Sequence, residues 1–182
     1  MVPLAAAAGV LALSTGVAFA QSGGVTSPGS EPPPAGSPAP APSGGHTQVF
    51  PLPTAHSFAD GFGVARGAGR SHQGQDIMAP CGTQQVAVMN GRIVFNSFQG
   101  AAGNYIVLRN KKVHRDYVYM HLRKPGLPKG TAVTMGQWIG TTGDTGDATA
   151  CHLHFEIWKG KWYRGGYPIN PLPSLQAWDS YS

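Results

Sequence analysis

Charge and cysteine are both scarce in this chain. Acidic and basic residues account for 12% of its 182 positions, and the only cysteines are Cys81 and Cys151. Thirteen Lys/Arg against eight Asp/Glu leave a net charge of +5, a balance that favours contact with anionic polymers such as cell walls or nucleic acids. Lys111, Lys112 and Lys124 are scattered, however, and read as solvated loop charge, so no basic stripe marks a nucleic-acid binder. No window repeats its apolar residues at a helical period, which leaves helices a minor part of the fold. No internal repeat is visible. The helical His-Glu-x-x-His signature, with its glutamate base, is absent as well.

Composition divides the chain in three. Residues 1–20 are mostly apolar and end in Ala18-Phe19-Ala20 before Gln21, which matches the small-residue cleavage site of a secretory leader. The stretch carries no Lys or Arg, so an upstream start or retention as an anchor is the alternative. It is short for a membrane span, so cleavage and export without stable membrane insertion are expected. A lipid anchor would need a cysteine at the cleavage site, and neither cysteine is there. Residues 21–46 are Pro, Gly, Ser and Ala with almost no large apolar side chain. Such a segment reads as an extended tether. Between Gln21 and Gly45 it contains no His, Asp or Asn that would block a metal site in cis, and Glu31 is its only ionisable candidate. Residues 47–182 are long enough for one well-buried domain. In an exported chain, two cysteines favour a disulfide over a thiol nucleophile. A Cys151–His152 pair is the rival, but adjacent strand residues face opposite ways.

The domain reads as short strands with frequent turns. Gln85–Met89 leads through Asn90-Gly91, a hairpin sequence, into Arg92–Phe95. Asn104–Arg109, Asp116–Leu122, Gln137–Gly140 and Cys151–Ile157 follow, rich in β-branched and aromatic residues. The expected fold is a small, mainly β domain on antiparallel sheet, a sandwich or barrel-like. The tail from Pro171 to Ser182 offers no assignable chemistry and is expected to pack on the domain.

Three stretches could carry chemistry. In Cys151-His152-Leu153-His154-Phe155-Glu156-Ile157, His152, His154 and Glu156 share one face of a strand and Leu153, Phe155 and Ile157 the other. Two imidazoles on a rigid strand suit a metal, though two exposed histidines explain the pattern as well. Glu156 would then be either an outer partner of a ligand or a solvated glutamate. Arg70-Ser71-His72-Gln73-Gly74-Gln75-Asp76 contains His-x-x-x-Asp. A catalytic zinc takes about three His or carboxylate ligands and keeps a position for water, and His72, Asp76 and His154 would supply such a set. A loop histidine with a surface aspartate is the plainer reading of that motif alone. The third stretch is Tyr119-Met120-His121-Leu122 at a strand end. With a metal on the first three, His121 and His152 would remain as free imidazoles for proton transfer. Asp144 and Asp147 look like turn residues.

The order His-x-x-x-Asp, Tyr-x-His-Leu, His-Leu-His-Phe-Glu resembles the lysostaphin/LytM-type zinc metallopeptidases, a family of peptidoglycan endopeptidases. The likeness runs through Phe62–Arg66, His72–Ile77, Ala79–Thr83, Asn90–Val94, Gly103–Tyr105 and Gly136–Gly140 as well. It implies an antiparallel β domain with a zinc-containing groove. It further implies one Zn2+ on His72, Asp76 and His154, with His121 and His152 as catalytic histidines. The motif does not divide base and oxyanion roles between them; His152 is taken as the base. Arg66 and Tyr105 are expected to contact substrate. Phe-Gly-x-x-Arg is similar to the branch that cuts stem-peptide cross-links rather than the glycyl-glycine branch, which has a tyrosine near Arg66. Cys81 and Cys151 would tie the two halves of the metal site together. His46, His56 and His114 fall outside the motifs and are read as surface or structural. The function so implied is a secreted, monomeric, cell-wall-associated zinc endopeptidase acting on peptidoglycan. The alternative is a non-catalytic wall-binding or hydrolase-activating module with a structural zinc.

Overall fold

The alternation of Leu153, Phe155 and Ile157 with His152, His154 and Glu156 gives one strand a dry face and a polar face, and the domain is laid around it. A computed structural model describes residues 45–182. The expected leader, and all of the expected tether before residue 45, lie outside the described residues. In chain order the elements are β1 (Ser57–Phe58), β2 (Gln75–Met78), β3 (Gln84–Val86), β4 (Gly91–Gln99), β5 (Gly103–Asn110), β6 (Arg115–Leu122), β7 (Ala132–Val133), β8 (Trp138–Thr141), β9 (His152–Lys159), β10 (Tyr167–Ile169) and α1 (Leu172–Asp179). The main antiparallel sheet runs β1-β2-β9-β6-β5-β4-β7, with β10 also on β9, and β3 and β8 make a separate pair. The mainly β, antiparallel expectation is met.

Burial separates the two faces of the sheet. Leu153, Phe155 and Ile157 pack with Tyr117, Tyr119, Ile106, Leu108 and Ile77 from neighbouring strands, all fully buried. Phe50, Leu52, Ile139 and the α1 residues Leu175 and Trp178 close this core. Each such side chain contributes about 1.5–3 kcal/mol of burial. On the opposite face, Val107, Val118 and Trp158 form a smaller cluster beneath Tyr105, Met120 and Trp162. The remainder of that face stays open and polar.

Two details depart from, or add to, the sequence reading. Asn90-Gly91 does not turn a hairpin: β3 pairs with β8, whereas β4 pairs with β5 and β7. The pair instead marks a switch between sheets. The Asn90 side chain accepts from the Met135 amide at 2.7 Å, and Gly91 has no room for a Cβ, which would lie 2.6 Å from the Arg109 carbonyl. The tail does pack on the domain, as a short helix preceded by Pro171, with a second proline in its first turn. Ser182 Oγ accepts from the Phe50 amide at 2.9 Å, tying the chain end to the core. Cys81 and Cys151 are joined, linking the loop after β2 to the entry of β9. Across a separation of 70 residues, that link stabilises the fold by roughly 4 kcal/mol in the chain-entropy picture.

Candidate metal centre and groove

The antiparallel register of β2 on β9 sets Asp76 directly opposite His154. His72, in the loop just before β2, reaches the same point. His72 Nε2 lies 2.8 Å from His154 Nδ1 and 3.1 Å from Asp76 Oδ1, and His154 Nδ1 lies 2.9 Å from that oxygen. All three residues are buried. Gly74 makes the approach possible, because a Cβ there would sit 2.8 Å from His154 Nε2 and 2.5 Å from the Phe155 carbonyl. Burial would raise the Asp76 carboxyl, but hydrogen bonds from His154 and His72 outweigh it and hold the group well below the usual carboxylate range. Burial would likewise lower His154, yet Asp76 and Glu156 lift the imidazole to about 9.

Outer hydrogen bonds fix which atom of each ring faces inward. His72 Nδ1 donates to the Gly61 carbonyl at 2.9 Å, leaving Nε2 for the cluster. His154 Nε2 donates to Glu156 Oε1 at 3.1 Å, leaving Nδ1. Glu156 is itself buried and accepts the indole N–H groups of Trp158 at 2.6 Å and Trp162 at 3.2 Å. It is therefore an outer partner of His154 and not a solvated glutamate. Asp76 Oδ2 accepts from Arg66 at 2.8 Å. Three convergent donor atoms of one anionic and two neutral-capable ligands, each oriented from behind, fit a divalent zinc. Glu156→Gln is expected to weaken zinc affinity by ~10–100-fold with the fold intact, because an amide turns a donor toward an indole N–H and loses the charge. Competition titration with a chromophoric chelator measures it; an unchanged affinity would remove Glu156 from the site.

The two remaining histidines reach the same space by different means. His152 lies at the start of β9, on the His154 face; its Nδ1 donates to the Ala150 carbonyl at 2.9 Å and its Nε2 is 3.7 Å from Asp76 Oδ1. His121 has the parity of Tyr117 and Tyr119, which point into the core. Between the pairs Asn104↔Leu122 and Ile106↔Tyr119, however, β6 carries one extra residue, and His121 has φ of 61°. This bulge and the left-handed backbone turn the imidazole onto the polar face. Its Nδ1 donates to the Thr145 carbonyl at 2.8 Å, and its ring lies 4.6 Å from that of His152. Burial pushes His121 down to about 4.

These five side chains line a groove of about 1070 Å³ together with Arg66, Tyr105 and Asp147. Arg66 does reach the groove wall, but its guanidinium is engaged by Asp76 and, at 3.3 Å, by Asp60. Sequence reasoning missed Trp162 and Tyr163, which also line the groove. Tyr163 is 62% exposed, holds φ of 46°, and donates to Oε1 of Gln73, another lining residue, at 2.5 Å. An aromatic pair inside an otherwise Lys/Arg/Gly turn was the available sign. His46 stacks on Tyr181, His56 packs on Phe50 and lies 3.5 Å from Asp179, and exposed His114 turns the β5–β6 connection. None of these three joins the groove lining.

Comparison with known proteins follows the same residues. Lysostaphin of Staphylococcus simulans is 41% identical over 111 residues, covering 60% of this chain and 22% of that protein. Peptidoglycan DD-endopeptidase ShyC of Vibrio cholerae is 37% identical over 88 residues, covering 48% and 20%. The chain thus spans about a fifth of the length of the curated relatives it matches. Among solved structures, the catalytic domain of lysostaphin superposes with a TM-score of 0.61 at 31% identity, covering 66% of this chain and 92% of that one. A zinc-containing peptidase from Vibrio cholerae gives 0.59 at 29% identity, covering 69% and 39%. Residues 70–171, which include His72, Asp76, His121, His152 and His154, match Peptidase family M23, and the chain belongs to that family.

Proposed function

We propose that this chain is an exported, zinc-dependent endopeptidase that hydrolyses peptide bonds in peptidoglycan stem peptides or cross-links. The observation that carries the reading is the groove's division of labour: three donor atoms converge on one point, and two further imidazoles face it without joining the set. Its relatives' names add the substrate class. Residues 1–20 serve as the leader, 21–46 as the tether and 47–182 as the catalytic domain, acting as a monomer at the cell wall. Among the described residues no helix is long and apolar enough to cross a membrane.

His72, Asp76 and His154 would hold the zinc, which supplies a Lewis acid that polarises the scissile carbonyl and acidifies the attacking water. His152 takes the water's proton at Nε2, the nitrogen left free by its Nδ1–Ala150 bond, and returns it to the departing amine. His121 presents an Nε2 lone pair, since its Nδ1 proton is held by Thr145. Burial keeps that ring a weak base, so it serves as hydrogen-bond acceptor for the scissile N–H rather than as the proton acceptor. Arg66 holds Asp76 through its outer oxygen and leaves Oδ1 for the metal.

Metal uptake must displace a proton from His154 Nδ1. With that imidazole lifted to about 9, apparent zinc affinity of the metal-free protein rises by ~tenfold per pH unit up to that value and then levels. Isothermal titration across pH reads the slope; a flat profile from neutrality upward contradicts it. The function is tested by the turbidity of a peptidoglycan suspension with the full chain, with chelator, and with chelator plus excess zinc. Clearing that is lost and then restored supports it; clearing indifferent to chelator sinks it.

A further inference from the structure

Residues 143–147, Gly-Asp-Thr-Gly-Asp, follow β8 and meet the bulge that turns His121 into the groove. Thr145 is the point of attachment. Its hydroxyl stands between two paired strand residues: Oγ1 accepts from the Asn104 amide of β5 at 3.0 Å and donates to the Leu122 carbonyl of β6 at 2.8 Å. Its carbonyl accepts from His121 Nδ1 at 2.8 Å. One residue therefore bonds the ring of His121, the carbonyl of the next residue along β6, and the strand opposite. The neighbouring backbone is shaped to admit it. Gly103 holds φ of 63°, and a Cβ there would overlap both the carbonyl and the hydroxyl of Thr145. Gly146 holds φ of 81°, and a Cβ there would overlap the Gly103 amide. The Asp147 amide donates to the Ala101 carbonyl at 3.0 Å and the His121 amide to the Ala102 carbonyl at 2.9 Å, so loop and histidine hang on the same β4–β5 turn.

A histidine keeps a left-handed backbone only where its surroundings impose it. His121 is gripped on both sides, its amide by Ala102 and the Leu122 carbonyl by the Thr145 hydroxyl. We propose that Thr145 is the positioning residue of His121: its hydroxyl holds the β6 bulge in place, and its carbonyl holds the Nδ1 proton so that Nε2 faces the scissile peptide. The proposal rests on the endopeptidase reading for its effect on turnover. Thr145 is not among the residues lining the groove, so it acts through the ring and not on substrate. The two duties fall on different atoms. Any residue at this position supplies the carbonyl, but only threonine or serine supplies the hydroxyl. Valine has the same shape as threonine yet can neither accept from Asn104 nor donate to Leu122. A methyl between an amide and a carbonyl replaces neither bond, and the bulge and its ring lose their fixed position.

The test uses the zinc-loaded full chain with isotope-labelled histidine nitrogens, read by nuclear magnetic resonance. In wild type and in Thr145→Ser the His121 Nδ1 proton is expected to be protected from exchange with water. In Thr145→Val it exchanges roughly tenfold faster. Melting temperature and zinc content check each sample, and Thr145→Ala, which removes the same hydroxyl with less bulk, replaces the valine variant if that chain does not fold. In wall cleavage, Thr145→Val is expected to lose roughly 10–100-fold in turnover, while Thr145→Ser stays within about twofold of wild type. In a chain that already carries His121→Ala, Thr145→Val takes away nothing further, because both changes act through one ring. Four results overturn the proposal: an unprotected proton in wild type, equal protection with and without the hydroxyl, a serine variant as slow as valine, or a full valine effect in the His121→Ala chain. A wild type that carries zinc and cleaves no wall overturns the endopeptidase reading instead, and the proton signal still decides the role of Thr145.

Discussion

His154→Ala is expected to abolish stoichiometric zinc binding and wall cleavage together, while the domain stays folded. The ring is the one that both carboxylates grip: Asp76 at 2.9 Å on Nδ1 and Glu156 at 3.1 Å on Nε2. Without it, Asp76 keeps Arg66 and Glu156 keeps its two indole N–H groups, so neither buried acid is left bare. The loss of zinc affinity should exceed the ~100-fold that an outer partner's removal costs, because a ligand atom itself is gone. Metal analysis of the purified variant, beside circular dichroism, reads both halves of the expectation. A variant that retains one zinc per chain would place the metal elsewhere.

The second large effect separates catalysis from binding. In His152→Ala the zinc content stays at wild-type level, and turnover falls by ~10²–10⁴-fold, the range for loss of a positioned proton acceptor. The geometry gives the reason: His152 Nε2 stands 3.7 Å from Asp76 Oδ1 and is not one of the three convergent donors. Steady-state kinetics with metal analysis on the same sample make the comparison. Loss of zinc along with turnover would make His152 a ligand, and the proposed sharing of roles would fail.

How far the sequence shows this site depends on how local the determining geometry is. His152, His154 and Glu156 were legible as one face because a straight strand alternates strictly, and β9 keeps that alternation between two flanking strands. The meeting of Asp76 with His154 depends on register, which spacing alone does not supply; the ordered motifs of a family did. His121 shows the limit. Its parity assigns it to the core with Tyr117 and Tyr119, and only a bulge with φ of 61° brings it to the groove. Asn90-Gly91 misleads for the opposite reason, since the glycine serves close packing on Arg109 rather than a turn. α1 was unreadable as a helix because only Leu175 and Trp178 face inward, a single turn apart and too few to show a period. Trp162 and Tyr163 acquire their place from Asp116, 46 residues away from Trp162 in sequence.

The central claim, peptide-bond hydrolysis in peptidoglycan by this groove, is tested most directly by the masses of what is released. The full chain, zinc-loaded, is incubated with purified peptidoglycan, and the soluble products are analysed by mass spectrometry beside a His154→Ala control. Pairs of fragments whose masses sum to that of the parent stem or cross-linked peptide plus one water, with new amine termini absent from the control, are the predicted result. Release of sugar fragments with intact stem peptides, or no release by a protein that carries one zinc per chain, would contradict it.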